Sequence, residues 1–223
     1  MVFSYFLGAL PFSTALAAAH GLDPSVEADV HIALRRSVGW PQAALAVAVD
    51  IAKGVFPVMI GFGFSLSVWA VSFSGVAAVV GQMWPPLRGH GEKGNSTGVG
   101  ALVALLLMYE AHVPLLSLGF FALGGVVRLS AILSPSPERQ APDHPLSLAL
   151  PVGMLLGFVA APVLCWLLRE PVGLTVGLLL MLVVILVRRL TAGLQADMSV
   201  GARIGPVLVR RLLLDQSLTG RDS

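Results

Sequence analysis

The stretch PLRGHGEKGNSTG, residues 86–98, breaks an oily chain with glycines, Arg88, His90, Glu92, Lys93 and two hydroxyls. Those residue types in that order suit an anion. Glycine lets backbone amides approach a phosphate closely, and Lys93 brings a mobile point charge. Ser96 and Thr97 stand where the next apolar run starts, so free amides of a helix N-terminus lie beside their hydroxyls. The stretch is not a Walker A loop, which needs Ser or Thr directly after the lysine; here Gly94 and Asn95 follow Lys93. The same residues also suit a plain cytoplasmic loop rich in positive charge, and local chemistry alone leaves both readings open.

A second group is DIAKG, residues 50–54. Asp50 and Lys53 are three apart in an apolar run, so they share one helix face and are placed to pair. Charges at such a position are costly and are either paired or functional. The pair is read as a structural ion pair facing the bundle interior. The segment HGLDPSVEADVHIALRRSVGW, residues 20–40, carries Glu27 and His31 four apart, but no second such pair accompanies them, and no metal site is expected. Arg35 and Arg36 are placed either to reach a phosphate or to anchor at lipid headgroups. Arg188 and Arg189 fall where the last apolar run meets water, as snorkelling alone requires. Beyond them, residues 200–217 interleave apolar residues with Arg203, Arg210 and Arg211, which suits either a surface helix or disorder.

The elements that must hold these residues follow from composition. Of the 223 residues, 56% are hydrophobic and 12% charged, and the mean hydropathy is strongly positive. A soluble domain carries roughly twice that charged fraction. The class is therefore an all-α polytopic integral membrane protein. Apolar runs long enough for a span are Val2–Ala19, Gln42–Gly61, Ser65–Trp84, Gly98–Tyr109, Val113–Leu133, Leu146–Leu168 and Val172–Val187. The fourth is short, and YEAHVP at 109–114 is read as the turn that follows it. Val2–Ala19 lacks a basic leader and reads as a retained span. With about seven spans, Arg35, Arg36, Arg88, Lys93, Arg139, Arg188, Arg189, Arg203, Arg210, Arg211 and Arg221 share one side, and Arg169 alone takes the other. The positive-inside rule then puts the C-terminus in the cytoplasm and the N-terminus outside. Residues 1–195 form the transmembrane domain and 196–223 a basic cytoplasmic tail. Cys165, the single cysteine, forms no intrachain disulfide. No zinc motif, dinucleotide fingerprint or Ser-His-Asp arrangement is present, and no nucleic-acid partner is expected.

Several of these segments together resemble the acyl-phosphate:glycerol-3-phosphate acyltransferases, the PlsY type of bacterial membrane enzyme. FLGALPFSTALAAAHGLD resembles that family's first span, and RRSVG at 35–39 the Arg-x-Leu-Gly closing its first loop motif. DIAKGVFPV at 50–58 is similar to Asp-x-x-Lys-Gly-x-x-Pro. Residues 81–105 resemble its Gly-Gly-Lys-Gly-Val-Ala-Thr loop with about one residue deleted, and RRLTAG at 188–193 resembles the end of its third motif. The resemblance implies seven spans, the N-terminus outside, and a place in the bacterial cytoplasmic membrane. It implies acyl transfer from acyl phosphate to glycerol 3-phosphate, giving lysophosphatidic acid for phospholipid synthesis, without metal or other cofactor. It implies that Arg36 and Lys93 carry the reaction by binding phosphate groups, with Gly91, Gly94, Ser96 and Thr97 lining the site. The family's polar first loop is replaced here by VEADVHIA at 26–33, its loop histidine by Gln82, and a glycine by Glu92; Val183, Val184 and Leu186 stand where its third motif is polar. Ser25, His31 and His90 are the residues of this chain placed to substitute as substrate ligands. Two other readings stay open: a PlsY-like homologue without turnover serving as a partner or lipid-binding subunit, and a small-anion transporter.

Overall fold

Where water is scarce, each segment must satisfy its own backbone donors and acceptors, and the helix does so. The computed structural model describes residues 1–23, 30–86, 91–140, 144–199 and 204–215, and among them every regular element is helical.

The first apolar run is two helices, α1 (Val2–Gly8) and α2 (Phe12–Ala19), divided at Pro11. Proline removes an amide donor and clashes with the preceding turn, which explains the break. The break turns Ser13 inward, where it is fully buried. The connection between the first two apolar runs, residues 20–41, holds a further helix, α3 (Val30–Ser37). Its buried Val30 and Leu34 lie on one face, one turn apart, and pack with Ala17, Ala43 and Ala46. Gly39, at φ +142°, turns the chain into α4 (Trp40–Gly63), where few residues but glycine fit.

The chain continues through α5 (Val68–Met83) and α6 (Asn95–Met108), then a 3₁₀ turn at Pro114–Ser117 leads into α7 (Leu118–Ile132). After the short α8 (Pro137–Gln140) come α9 (Pro145–Leu167) and α10 (Val172–Thr191). The tail forms α11 (Leu194–Ser199) and α12 (Ile204–Leu214). Five segments are long and apolar enough to cross a membrane: α1 with α2, α4, the 3₁₀ turn with α7, α9 and α10. Apolar α5 and α6 are shorter.

Glycines set how closely the helices approach. A side chain at Gly54 would collide with the Thr97 carbonyl, and one at Gly100 with that of Ile51, so α4 and α6 meet backbone to backbone. Gly8 with Gly81 does the same for α1 and α5, and Gly124 with Gly153 for α7 and α9. Small residues at such seams are how membrane helices gain contact when lipid is as apolar as their side chains. Val58, Val71, Leu105, Phe158, Met181 and Ile185 fill the centre, whereas Phe3, Leu123 and Trp166 stay largely exposed on the outside.

Candidate functional site

The polar groups of the bundle gather around Asp50, which is fully buried in α4. Lys53, one turn on, donates from Nζ to Asp50 Oδ1 at 2.8 Å and to Gln82 Oε1 of α5 at 3.1 Å. Ser13 Oγ of α2 donates to Asp50 Oδ2 at 3.0 Å, and His31 Nε2 of α3 lies 3.1 Å from the same oxygen. Gln82 Nε2 donates to Glu92 Oε2 at 2.5 Å, while the Glu92 amide donates to the Gln82 carbonyl at 3.1 Å. Thr97 Oγ1 donates to the Asp50 carbonyl at 2.9 Å and so ties α6 to α4. Burial, and then the negative charge of Asp50, push the Glu92 carboxyl up to about 7. His31, Asp50 and Glu92 each offer a ligand atom within 4.8 Å of the others. The Lys53 ammonium already supplies positive charge there.

A second polar group lies at the start of α6. Lys93 Nζ donates to the Asp215 carbonyl at 3.0 Å and is 3.8 Å from its carboxylate; Asn95 Nδ2 donates to that carboxylate at 3.1 Å. Arg189 Nε is 4.0 Å from the other carboxylate oxygen. The last long helix runs past Val187 to Thr191, so Arg189 is not the snorkelling residue its position suggests. It is 4% exposed and donates inward to the carbonyls of Pro151 and Leu212. Arg188 donates to the Gly91 carbonyl at 2.6 Å, steadying the glycine loop. A Cβ at Gly91 would collide with the Met83 carbonyl, and Gly94, at φ +70°, lies against the Met83 side chain. Glycine is required at both positions.

The structure thus brings His31, Asp50, Lys53 and Thr97 together with Ser13, Gln82 and Glu92. Lys93 sits in a separate contact with the tail, Ser96 is half-buried, and Arg36 is exposed on the last turn of α3. Ser25 and His90 lie outside the described residues, as does Glu27. Sequence reasoning overlooked Ser13, Gln82 and Glu92 as members of the Asp50–Lys53 cluster. Their signal is a single polar residue in an apolar run (Ser13, Gln82) or a charge within a glycine loop (Glu92). The tail, read as surface-lying or disordered, forms α12, which buries Val207 and Arg211; Arg211 pairs with Asp197 at 2.6 and 2.9 Å.

Comparison with known proteins fits this arrangement. A glycerol-3-phosphate acyltransferase of Rubrobacter xylanophilus is 34% identical over 135 residues, which cover 59% of this chain and 64% of that protein. One from Solidesulfovibrio magneticus is 31% identical over 157 residues, 68% of this chain and 73% of its own. The crystal structure of PlsY, an integral membrane glycerol 3-phosphate acyltransferase, in its glycerol 3-phosphate form shares the fold at a TM-score of 0.62 and 21% identity, covering 93% of this chain and 95% of that one. Its lysophosphatidic acid form gives 0.60 and 20%, with 90% of each chain covered. The sequence profile described as glycerol-3-phosphate acyltransferase matches residues 1–193, and with it this integral membrane chain belongs to that family.

Proposed function

We propose that this chain transfers an acyl group from acyl phosphate to the sn-1 hydroxyl of glycerol 3-phosphate, giving lysophosphatidic acid and inorganic phosphate in the bacterial cytoplasmic membrane. The observation that carries the reading is the family match over residues 1–193, which takes in every segment that builds the glycine loop and the Asp50 cluster. The hydroxyl oxygen attacks the acyl carbonyl, the bond from that carbon to the phosphate oxygen breaks, and the hydroxyl proton ends on the departing phosphate. Both substrates are anions, so catalysis rests on holding them side by side and neutralising charge as it develops.

Lys93 and Arg36 are the cations assigned to the phosphate groups, with Gly91, Gly94, Ser96, Thr97, His31, Ser25 and His90 as lining residues. Asp50 and Lys53 hold α2 to α6 in place around them. No metal or cofactor enters this scheme. Residues 1–195 form the catalytic membrane unit and 196–223 its basic cytoplasmic tail. Seven spans follow when α5 and α6 also cross, and the crowding of eleven Lys and Arg on one side of that arrangement supports an outside N-terminus and a cytoplasmic C-terminus.

The test uses purified protein in lipid, acyl phosphate and radiolabelled glycerol 3-phosphate. Labelled lysophosphatidic acid and released phosphate should appear in equal amounts. Lys93→Ala and Arg36→Ala should each lower turnover at least ~100-fold, the size of effect expected when a transition-state charge partner is lost. No labelled product from the unaltered protein rejects the activity. Unchanged turnover in either variant removes that residue from the mechanism.

A further inference from the structure

The Lys93, Asn95 and Arg189 donors come from three places: the glycine loop, the first turn of α6 and the last turn of α10. They converge on one residue of the tail, Asp215, which is 12% exposed at its side chain. Asp215 also holds a left-handed backbone at φ +52°, uncommon outside glycine, at the end of α12. The helix is anchored separately, by the buried Arg211–Asp197 pair, by Arg211 on the Ala192 carbonyl and by Arg189 on the Leu212 carbonyl. The docking of α12 therefore does not depend on the Asp215 carboxylate. The family profile ends at residue 193, before α11 begins, so this contact belongs to a segment outside the family pattern.

We infer that Lys93, Asn95 and Arg189 form a phosphomonoester cradle and that Asp215 fills it as an internal stand-in, closing the site until a phosphorylated ligand displaces it. The inference rests on the assignment of Lys93 to phosphate made above and adds to it a regulator within the same chain. A lysine, an arginine and an amide donor suit phosphate oxygens. A phosphate dianion has twice the charge of the aspartate and more acceptor atoms, so it competes for these donors, whereas an uncharged polyol does not. An internal occupant lowers apparent affinity by the fraction of molecules it leaves open.

The experiment uses the full chain in detergent. Calorimetry would measure binding of inorganic phosphate and of glycerol 3-phosphate to the unaltered protein, to Asp215→Asn and to Asp215→Ala. Both variants should bind roughly tenfold more tightly. Glycerol, which has no charge to compete for the donors, should bind none of the three proteins measurably. Equal or weaker binding in both variants overturns the inference. The readout does not need turnover. Tighter binding in variants of a protein that forms no lysophosphatidic acid would sink the acyltransferase reading and keep the latch; normal acylation with unchanged affinities would do the reverse.

Discussion

Glu92 is a carboxylate beside a glycine loop, partly buried against Gln82 and close enough to Asp50 to feel its charge. Its pKa is raised from 4.5 to about 7, so the folded protein binds the proton more tightly than the unfolded chain does. Stability therefore falls as pH rises from about 4.5 to about 7, then levels off. Glu92→Gln keeps the shape and removes the ionisation. Thermal unfolding in detergent across that pH range should show the decline in the unaltered protein and a flatter profile in the variant, with a gain of about 1–3 kcal/mol above pH 8. Asp50 is a fully buried carboxylate that accepts from Lys53 and Ser13. Asp50→Asn would leave the Lys53 ammonium buried without its counter-ion and should cost about 3–5 kcal/mol, read by the same unfolding measurement. The Asp50–Lys53 pair was legible because opposite charges three apart in an apolar run seldom stand there unless they meet. Its wider circle was not: His31 reaches Asp50, and Gln82 reaches Lys53, only once α3 and α5 pack on α4.

The α4–α6 seam brings Gly54 and Gly100 against opposing carbonyls, which makes element packing testable with single methyl groups. Gly54→Ala should push the helices apart and destabilise the bundle by about 1–3 kcal/mol. Gly125→Ala on α7, where a Cβ meets open space, should be neutral or stabilising by up to about 1 kcal/mol from helix propensity. Comparing the two unfolding temperatures separates seam glycines from permissive ones; equal effects would contradict the backbone contact at Gly54. Helices of the apolar runs were legible from hydropathy alone. The break at Pro11 and helix α3 were not drawn from it, although Pro11 and the Val30–Ala33–Leu34 spacing carry both signals. A hydropathy average hides one proline in an apolar run, and a short helix between charges looks like loop.

Across the whole molecule, the proposed seven crossings with a cytoplasmic C-terminus are open to a labelling test. In a Cys165→Ser background, His112→Cys should react with a membrane-impermeant maleimide on intact cells, and Ser136→Cys only after permeabilisation. Labelling in the reverse pattern would invert the topology. The contact from Lys93 to Asp215 spans 122 residues, and no local pattern announces a pairing that depends on how α12 lies against α9 and α10. Fold class was therefore readable from composition, the site's scaffold from motif spacing, and the tail's engagement only from three-dimensional packing.

The two polar groups also differ in when they are able to form. Every side chain of the Asp50 cluster lies before residue 98, whereas Asp215 comes after the last long helix. A nascent chain leaves the ribosome N-terminus first. The cluster is thus synthesised long before its counterpart at the tail exists, and the membrane-embedded half has time to settle around Asp50 with Lys93 not yet engaged by the tail.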